Sequence, residues 1–179
     1  ILNYSAPVLD EHGQVKAAVI VNLDITERER AEAAARENQD LLNKIFDILP
    51  IGLWVTDATG KIIHKNPAGG KIWGVKDDEP LREEHEYHAR WLPSREELAP
   101  QDWAHLRSLR EGVTVTDELL EIDAFDGQKR IIWNYSAPEL DEHGQVKAAA
   151  IVNLDITERE RAEAAARENQ EQLNKIYDI

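Results

Sequence analysis

The side chains able to do chemistry here are six histidines and a large excess of carboxylates, with no cysteine at all. His12 and His143 stand at equivalent places in polar turns beside Asp and Glu, where solvated turn residues are expected. His64 ends a β-branched stretch and reads as a strand residue rather than a ligand. His85 and His88 are three apart with Glu84 and Glu86 beside them. On a helix that spacing could hold a metal ion, but so loose a pattern recurs by chance, and no metal site is expected. His105 sits in a stretch whose apolar positions, Trp103, Leu106 and Leu109, fit a helix. With 35 acidic residues, neighbouring pairs such as Asp77–Asp78 and Glu83–Glu84 carry no information. Gly69-Gly70 lacks the spacing and the lysine of a phosphate loop. No catalytic residues are assigned, and the segment is read as not an enzyme in itself.

Composition excludes further classes. There are 21 basic against 35 acidic residues, a net charge of -14. That opposes binding to a nucleic-acid backbone and to an anionic membrane surface. No apolar run is long enough to span a bilayer, no leader segment opens the chain, and a cytoplasmic protein is expected. Methionine is absent even at the first position, and both ends fall inside patterned segments. A fragment, an excised array or an engineered fusion is therefore expected.

Any such groups must be held by strands and short helices. Gly52–Thr56 and Lys61–Lys65 read as strands around the turn Asp57–Gly60. Asn66-Pro67 opens a short helix running towards Gly74. The stretch 77–100 is polar and broken by prolines, so loops and helical turns are expected. Gln101–Glu111 reads as a helix stopped by Gly112. Val113–Ala124, Lys129–Ala137 and Val146–Ile156 read as three longer antiparallel strands. Helices between two groups of antiparallel strands predict an α+β domain.

A long segment occurs twice. Ile1–Ile48 returns without a gap as Ile132–Ile179, differing at Leu2/Trp133, Val8/Glu139, Val19/Ala150, Asp40/Glu171, Leu41/Gln172 and Phe46/Tyr177. Each copy carries a strand pair and then an Ala-, Glu- and Arg-rich run of strong helix formers. Thr26 with Glu29, and Thr157 with Glu160, have capping-box spacing. Ala31, Ala35, Asn38, Leu42, Ile45 and Leu49 follow the spacing of a coiled-coil seam, as do Ala162, Ala166, Asn169, Leu173 and Ile176. The expectation is a homodimer paired through these helices, with asparagines that set register. A single helix packed on its own domain is the alternative. The organisation expected is a terminal hairpin at 1–25, a linker helix at 26–49, a complete domain at 50–156 and an exit helix at 157–179. The repeated hairpin could exchange with its copy in another chain.

Four stretches make the complete domain resemble a PAS domain of the sensor histidine kinase type. They are Pro50-Ile51-Gly52-Leu53-Trp54-Val55-Thr56-Asp57 with Gly60, Asn66-Pro67-Ala68 through Ile72-Trp73-Gly74, Asp126-Gly127, and Asp155-Ile156-Thr157-Glu158-Arg159. The resemblance implies a PAS-like five-stranded antiparallel sheet in the order 2-1-5-4-3, short helices on one face and flanking coiled-coil-like linker helices. It also makes the terminal hairpin the end of an incomplete preceding PAS repeat. Asp155 is implied to hydrogen-bond near the domain exit, and Asp155 with Thr157 to relay a signal.

Alternation of side chains picks Leu53, Val55, Ile63, Ile72, Trp73, His105, Leu106, Leu119, Trp133, Tyr135 and Ile151 as a candidate pocket, or simply as core. Haem-binding relatives take their iron ligand from the helix corresponding to that of His105. Light-sensing relatives bond flavin to a cysteine, which this chain lacks. No cofactor is expected, with haem and non-covalent flavin as the alternatives. The resulting reading is a dimeric sensory module that relays a core or ligand change through its C-terminal helix, with any kinase domain outside this chain. The competing reading is a ligand-free dimerisation spacer in a tandem or engineered array.

Overall fold

The computed structural model describes residues 1–76 and 79–177 of the chain. They fall into two units, Ile1–Ile45 and Phe46–Ile179. The first holds an antiparallel hairpin, β1 (Leu2–Leu9) and β2 (Val15–Leu23), and most of helix α1 (Thr26–Ile48). Every residue of both strands is exposed.

The second unit is one antiparallel sheet with helices between its strands. β3 (Gly52–Asp57) and β4 (Ile62–Lys65) come first, followed by α2 (Pro67–Trp73). The strand β5 (His88–Trp91) and helix α3 (Ala104–Glu111) follow, flanked by short 3-10 turns at Glu84–Glu86 and Pro100–Asp102. Then come β6 (Val115–Asp123), β7 (Lys129–Leu140), β8 (Val146–Asp155) and the exit helix α4 (Thr157–Tyr177). The strand order across the sheet is β4-β3-β8-β7-β6-β5.

The sheet has six strands where five were expected. The extra strand, β5, lies at the edge and is short and charged, as edge strands commonly are. Ala89 pairs with Ile122 and is only 1% exposed, while Arg90 turns out to bond Asp123 at 2.7 Å. Only four residues long, with Ala89 and the partly buried Trp91 towards the core, β5 gives too little alternation to mark a strand. The asp pair at 77–78 and the last two residues of the expected exit helix lie outside the described residues.

Buried Asn66 builds the joint between the first hairpin and α2. Its Oδ1 caps the helix by accepting from Gly69 N–H at 2.8 Å and also accepts from Leu53 N–H at 2.9 Å. Its Nδ2 donates to the carbonyls of Ile51 and Phe46. With four partners, the Asn66 carboxamide has its own two donors and two acceptor positions satisfied. Gly74 ends α2 at φ 71°, a left-handed cap that suits glycine. On one face of the sheet lies a core of Trp54, Ile72, Trp73, Val75, Tyr87, Leu98, Trp103, Leu120, Ile122, Ile132 and Ile151.

Candidate functional site

Inside this core is a cavity with about 40 Å³ of space for the centre of a water molecule. It is lined by Trp54, Ile62, Trp73, Tyr87, Trp103, His105, Asn134, Ile151 and Asn153. One water needs roughly 10–15 Å³ on this measure, so two or three waters, or a guest of that size, would fill it. Drug-sized ligands occupy pockets of about 300–1,000 Å³. This cavity lies well below that range.

Of the residues picked from the sequence, Trp73, His105 and Ile151 line the cavity. Ile72 is buried in the core beside it, and Leu106 packs against the core partly exposed. Leu53, Val55, Ile63, Leu119, Trp133 and Tyr135 do not reach it. Their neighbours Trp54, Thr56, Ile62, Leu120, Ile132 and Asn134 turn inward instead, and the burial pattern of β3 and β7 alternates accordingly. The expected alternation was out of step by one residue, which sends each strand side chain to the opposite face. The reason is chemical. Both faces of this sheet carry apolar residues, and the inward face includes polar ones that apolar patterning places outside.

Those inward polar residues form a connected line. Trp73 Nε1 donates to Asn153 Oδ1 at 2.9 Å, and Asn153 Nδ2 donates to Asn134 Oδ1 at 2.8 Å. Asn134 Nδ2 then donates to Glu118 Oε2 at 3.0 Å, and Arg107 pairs with the other carboxylate oxygen. The line runs from α2 across β8, β7 and β6 to α3. Glu118 reaches it after an irregularity in the β6–β7 register, where Asp117 sits at φ 60°. A buried carboxylate is tolerable only with partners of this kind. Sequence reasoning missed Asn134, Asn153 and Glu118. Their signal was one amide in each of β7 and β8, and a carboxylate in β6, set among strands otherwise rich in apolar residues.

Other polar groups border the cavity. His105 is buried on α3, and burial pulls its pKa down to about 4, so the ring is neutral at neutral pH. Burial pushes the Tyr87 hydroxyl up to about 12. Trp54 Nε1 and the Tyr87 hydroxyl are buried and have no hydrogen-bond partner among the described residues. The Tyr87 ring makes edge-to-face contacts with Trp73 and Phe125 at centroid distances of 4.9 and 5.2 Å.

His85 and His88 border a separate, open cleft of about 850 Å³ that shares Tyr87 and Trp103 with the cavity. Among the described residues no group of three or more His, Cys, Asp or Glu side chains is placed to hold a metal ion. His64 is exposed and stacks on Phe46 at 4.8 Å. His12 and His143 are exposed turn residues.

The site connects to the exit helix over a few residues. Two positions beyond Asn153, Asp155 Oδ1 accepts from Thr157 N–H at 2.9 Å and from Thr157 Oγ1 at 2.5 Å. Thr157 Oγ1 in turn accepts from Ile131 N–H at 2.8 Å. The expected capping box is therefore corrected. Thr157 is the first residue of α4, Asp155 supplies the capping oxygen, and the threonine hydroxyl ties β7 to the helix start. The Arg159 guanidinium lies 5.5 Å from the centre of the Trp133 ring, joining the first turn of α4 to the outer face of β7.

The seam residues lie as follows. Ala31, Ala35, Asn38, Leu42 and Ile45 are exposed on α1, and Leu49 falls just past its end, half-buried. Ala162, Ala166, Asn169 and Leu173 are exposed on α4. The side chain of Ile176 lies outside the described residues. No helix among the described residues is long and apolar enough to cross a membrane.

Comparison with known proteins places this geometry. Residues 46–161 match the PAS fold. A blue-light-activated histidine kinase of Brucella anthropi is 26% identical over 173 residues, covering 89% of this chain and 33% of that protein. The chain thus spans about a third of the length of the curated relative it matches. Among solved structures, a PAS domain from Colwellia psychrerythraea is similar at 20% identity and a TM-score of 0.52, covering 67% of this chain and 98% of that one. A sensory box histidine kinase/response regulator from Burkholderia thailandensis is similar at 20% identity and a TM-score of 0.51, covering 75% and 98% respectively.

Proposed function

This chain belongs to the PAS fold family, and we propose that it is a sensory module whose core change is passed through the last strand to the exit helix. The observation that carries the reading is the place of Asn153. It lines the cavity, holds the indole N–H of Trp73, and stands two residues before the carboxylate that caps α4. A guest that draws Trp73 or Asn134 away from Asn153 shifts β8, and the Asp155–Thr157–Ile131 bonds carry that shift to the helix start. Allosteric coupling requires two arrangements of such an element. In this reading the second one is reached by turning the carboxamides of Asn153 and Asn134 towards a guest.

The guest is of water size or is a small polar molecule that accepts hydrogen bonds. The buried Trp54 indole N–H and Tyr87 hydroxyl are donors suited to it. A flavin–cysteine adduct is chemically impossible without cysteine. The light response in the name of the Brucella relative is therefore not carried over. Its kinase character is compatible with a larger protein in which α4 leads to an output domain. The helices pair between two copies along Ala31–Leu49 and Ala162–Ile176. The β1–β2 hairpin is the closing hairpin of a preceding PAS repeat.

The spacer reading draws on one observation, the small volume of the cavity. Native mass spectrometry of the gently purified protein, with its absorbance spectrum, decides between the two. A retained small molecule, lost in an Asn153→Ala variant, supports sensing. A chain with nothing bound, whose exit helix responds to no core substitution, supports the spacer.

A further inference from the structure

We propose that Ile1–Asp24 is a second closing hairpin, able to take the place of Ile132–Asp155 in the sheet of another copy of this chain. This inference stands apart from the sensing role. The two hairpins have the same register. Asn3 pairs with Asn22, Ser5 with Ile20 and Leu9 with Val15, with an irregularity at Val8/Leu9. Asn134 pairs with Asn153, Ser136 with Ile151 and Leu140 with Val146, with an irregularity at Glu139/Leu140.

The inward residues are also the same. Ile132, Asn134, Ser136, Ala149, Ile151 and Asn153 are all buried in the complete domain. Their counterparts Ile1, Asn3, Ser5, Ala18, Ile20 and Asn22 are identical in type, and Ile20 is 62% exposed. The three strand differences, Leu2 for Trp133, Val8 for Glu139 and Val19 for Ala150, all fall on the outward face. The amide pair is present with donor and acceptor exchanged: Asn3 Nδ2 donates to Asn22 Oδ1 at 2.6 Å, so both carboxamides turn over on insertion. Seated in a sheet, Asn22 would meet the indole N–H of Trp73, and Asn3 the carboxylate of Glu118. A hairpin whose inward residues match those of Ile132–Asn153 in type and register fits the body of this domain.

The exchange must be between chains. In the sheet, Gly52 pairs with Asn153, so an inserted Asn22 would lie about 5 Å from Gly52, the usual antiparallel separation. Within one chain, helix α1 separates Thr26 from Ile48 by roughly 33 Å at 1.5 Å per residue. Closure within one chain would need both four-residue connections, 22–26 and 48–52, pulled out to their full reach of roughly 14 Å each, which exchange between chains does not. The resident hairpin keeps the advantage at rest, because Leu2 stands where Trp133 meets the Arg159 guanidinium. Insertion therefore follows when the resident hairpin, β7 together with β8, leaves.

Cysteine trapping tests this in a chain that has no cysteine of its own. Val55 pairs with Ala150, the counterpart of Val19, on the outward face. Val55→Cys with Ala150→Cys reports normal closure. Val55→Cys with Val19→Cys reports exchange, tested alone and together with Ile151→Asp, which drives β8 from the core. Under mild oxidation the exchange pair is expected to give covalent dimers, with a peptide map joining positions 19 and 55 between chains. Ile151→Asp should raise the yield several-fold. The proposal is overturned if the 55–150 disulfide forms but no interchain 19–55 disulfide appears in either background. It is equally overturned if dimers of Val19→Cys alone account for all the cross-linking, which would mean hairpin pairing with hairpin.

Discussion

Replacing Asn153 by alanine should cost this domain much of its stability, and the structure gives the size. The substitution strips the acceptor from Trp73 Nε1–H and the donor from Asn134 Oδ1, and both residues are buried. Each orphaned group costs about 1–3 kcal/mol. The adjoining cavity admits a water that recovers part of this, leaving about 2–4 kcal/mol. With a urea dependence of about 2 kcal/mol/M for a domain of this size, the unfolding midpoint should fall by about 1–2 M. Tryptophan fluorescence is a clean probe, because all five tryptophans lie in the unit Phe46–Ile179. The repeat supplies the control. Asn22→Ala makes the same change in the exposed hairpin and should leave that midpoint where it was. A shift below about 0.3 M for Asn153→Ala would refute the idea that the amide line holds α2 to β8.

Other outcomes follow from the same geometry. Thr157→Val removes the acceptor of Ile131 N–H and the hydroxyl bond to Asp155, and should destabilise by about 1–2 kcal/mol in urea unfolding. His105 is buried neutral with its pKa near 4, below the unfolded value of 6.5, so protonation favours unfolding. Stability should be full above pH 6.5, fall by roughly 3 kcal/mol as pH drops to 4, and His105→Leu should flatten that slope in pH-dependent melts. Below that range, loss of the Arg130 hydrogen bonds that hold the Asp126 carboxyl down should add a further decline. Asn169→Leu places an apolar side chain in the proposed seam and should raise self-association, seen as a lower dissociation constant by sedimentation.

Much of the architecture could be read from residues that punctuate the chain. Asp57–Gly60, Asp126-Gly127 and Asp141–Gly144 mark turns because aspartate and glycine satisfy or permit their backbone geometry. Asn66-Pro67 marks a helix start for the same kind of reason. The site was harder to read. Alternation tells that Trp133 and Tyr135 share a face but not which face, and here apolar residues occupy both. Asn134 and Asn153 point inward because they satisfy each other, a pairing between strands that a single sequence does not display. Thr157 looked like a cap by spacing alone. The structure gives that role to Asp155, two residues earlier, and Asp24 caps Thr26 in the same way in the first copy.

Amide hydrogen exchange across Ile156–Glu163, compared between the wild-type chain and Asn153→Ala, tests the coupling of core to exit helix most directly. The account predicts faster exchange in this first turn of α4 together with β8, although the substituted side chain touches neither Thr157 nor the helix. Unchanged protection in that turn, while the packing around Trp73 loosens, would contradict it.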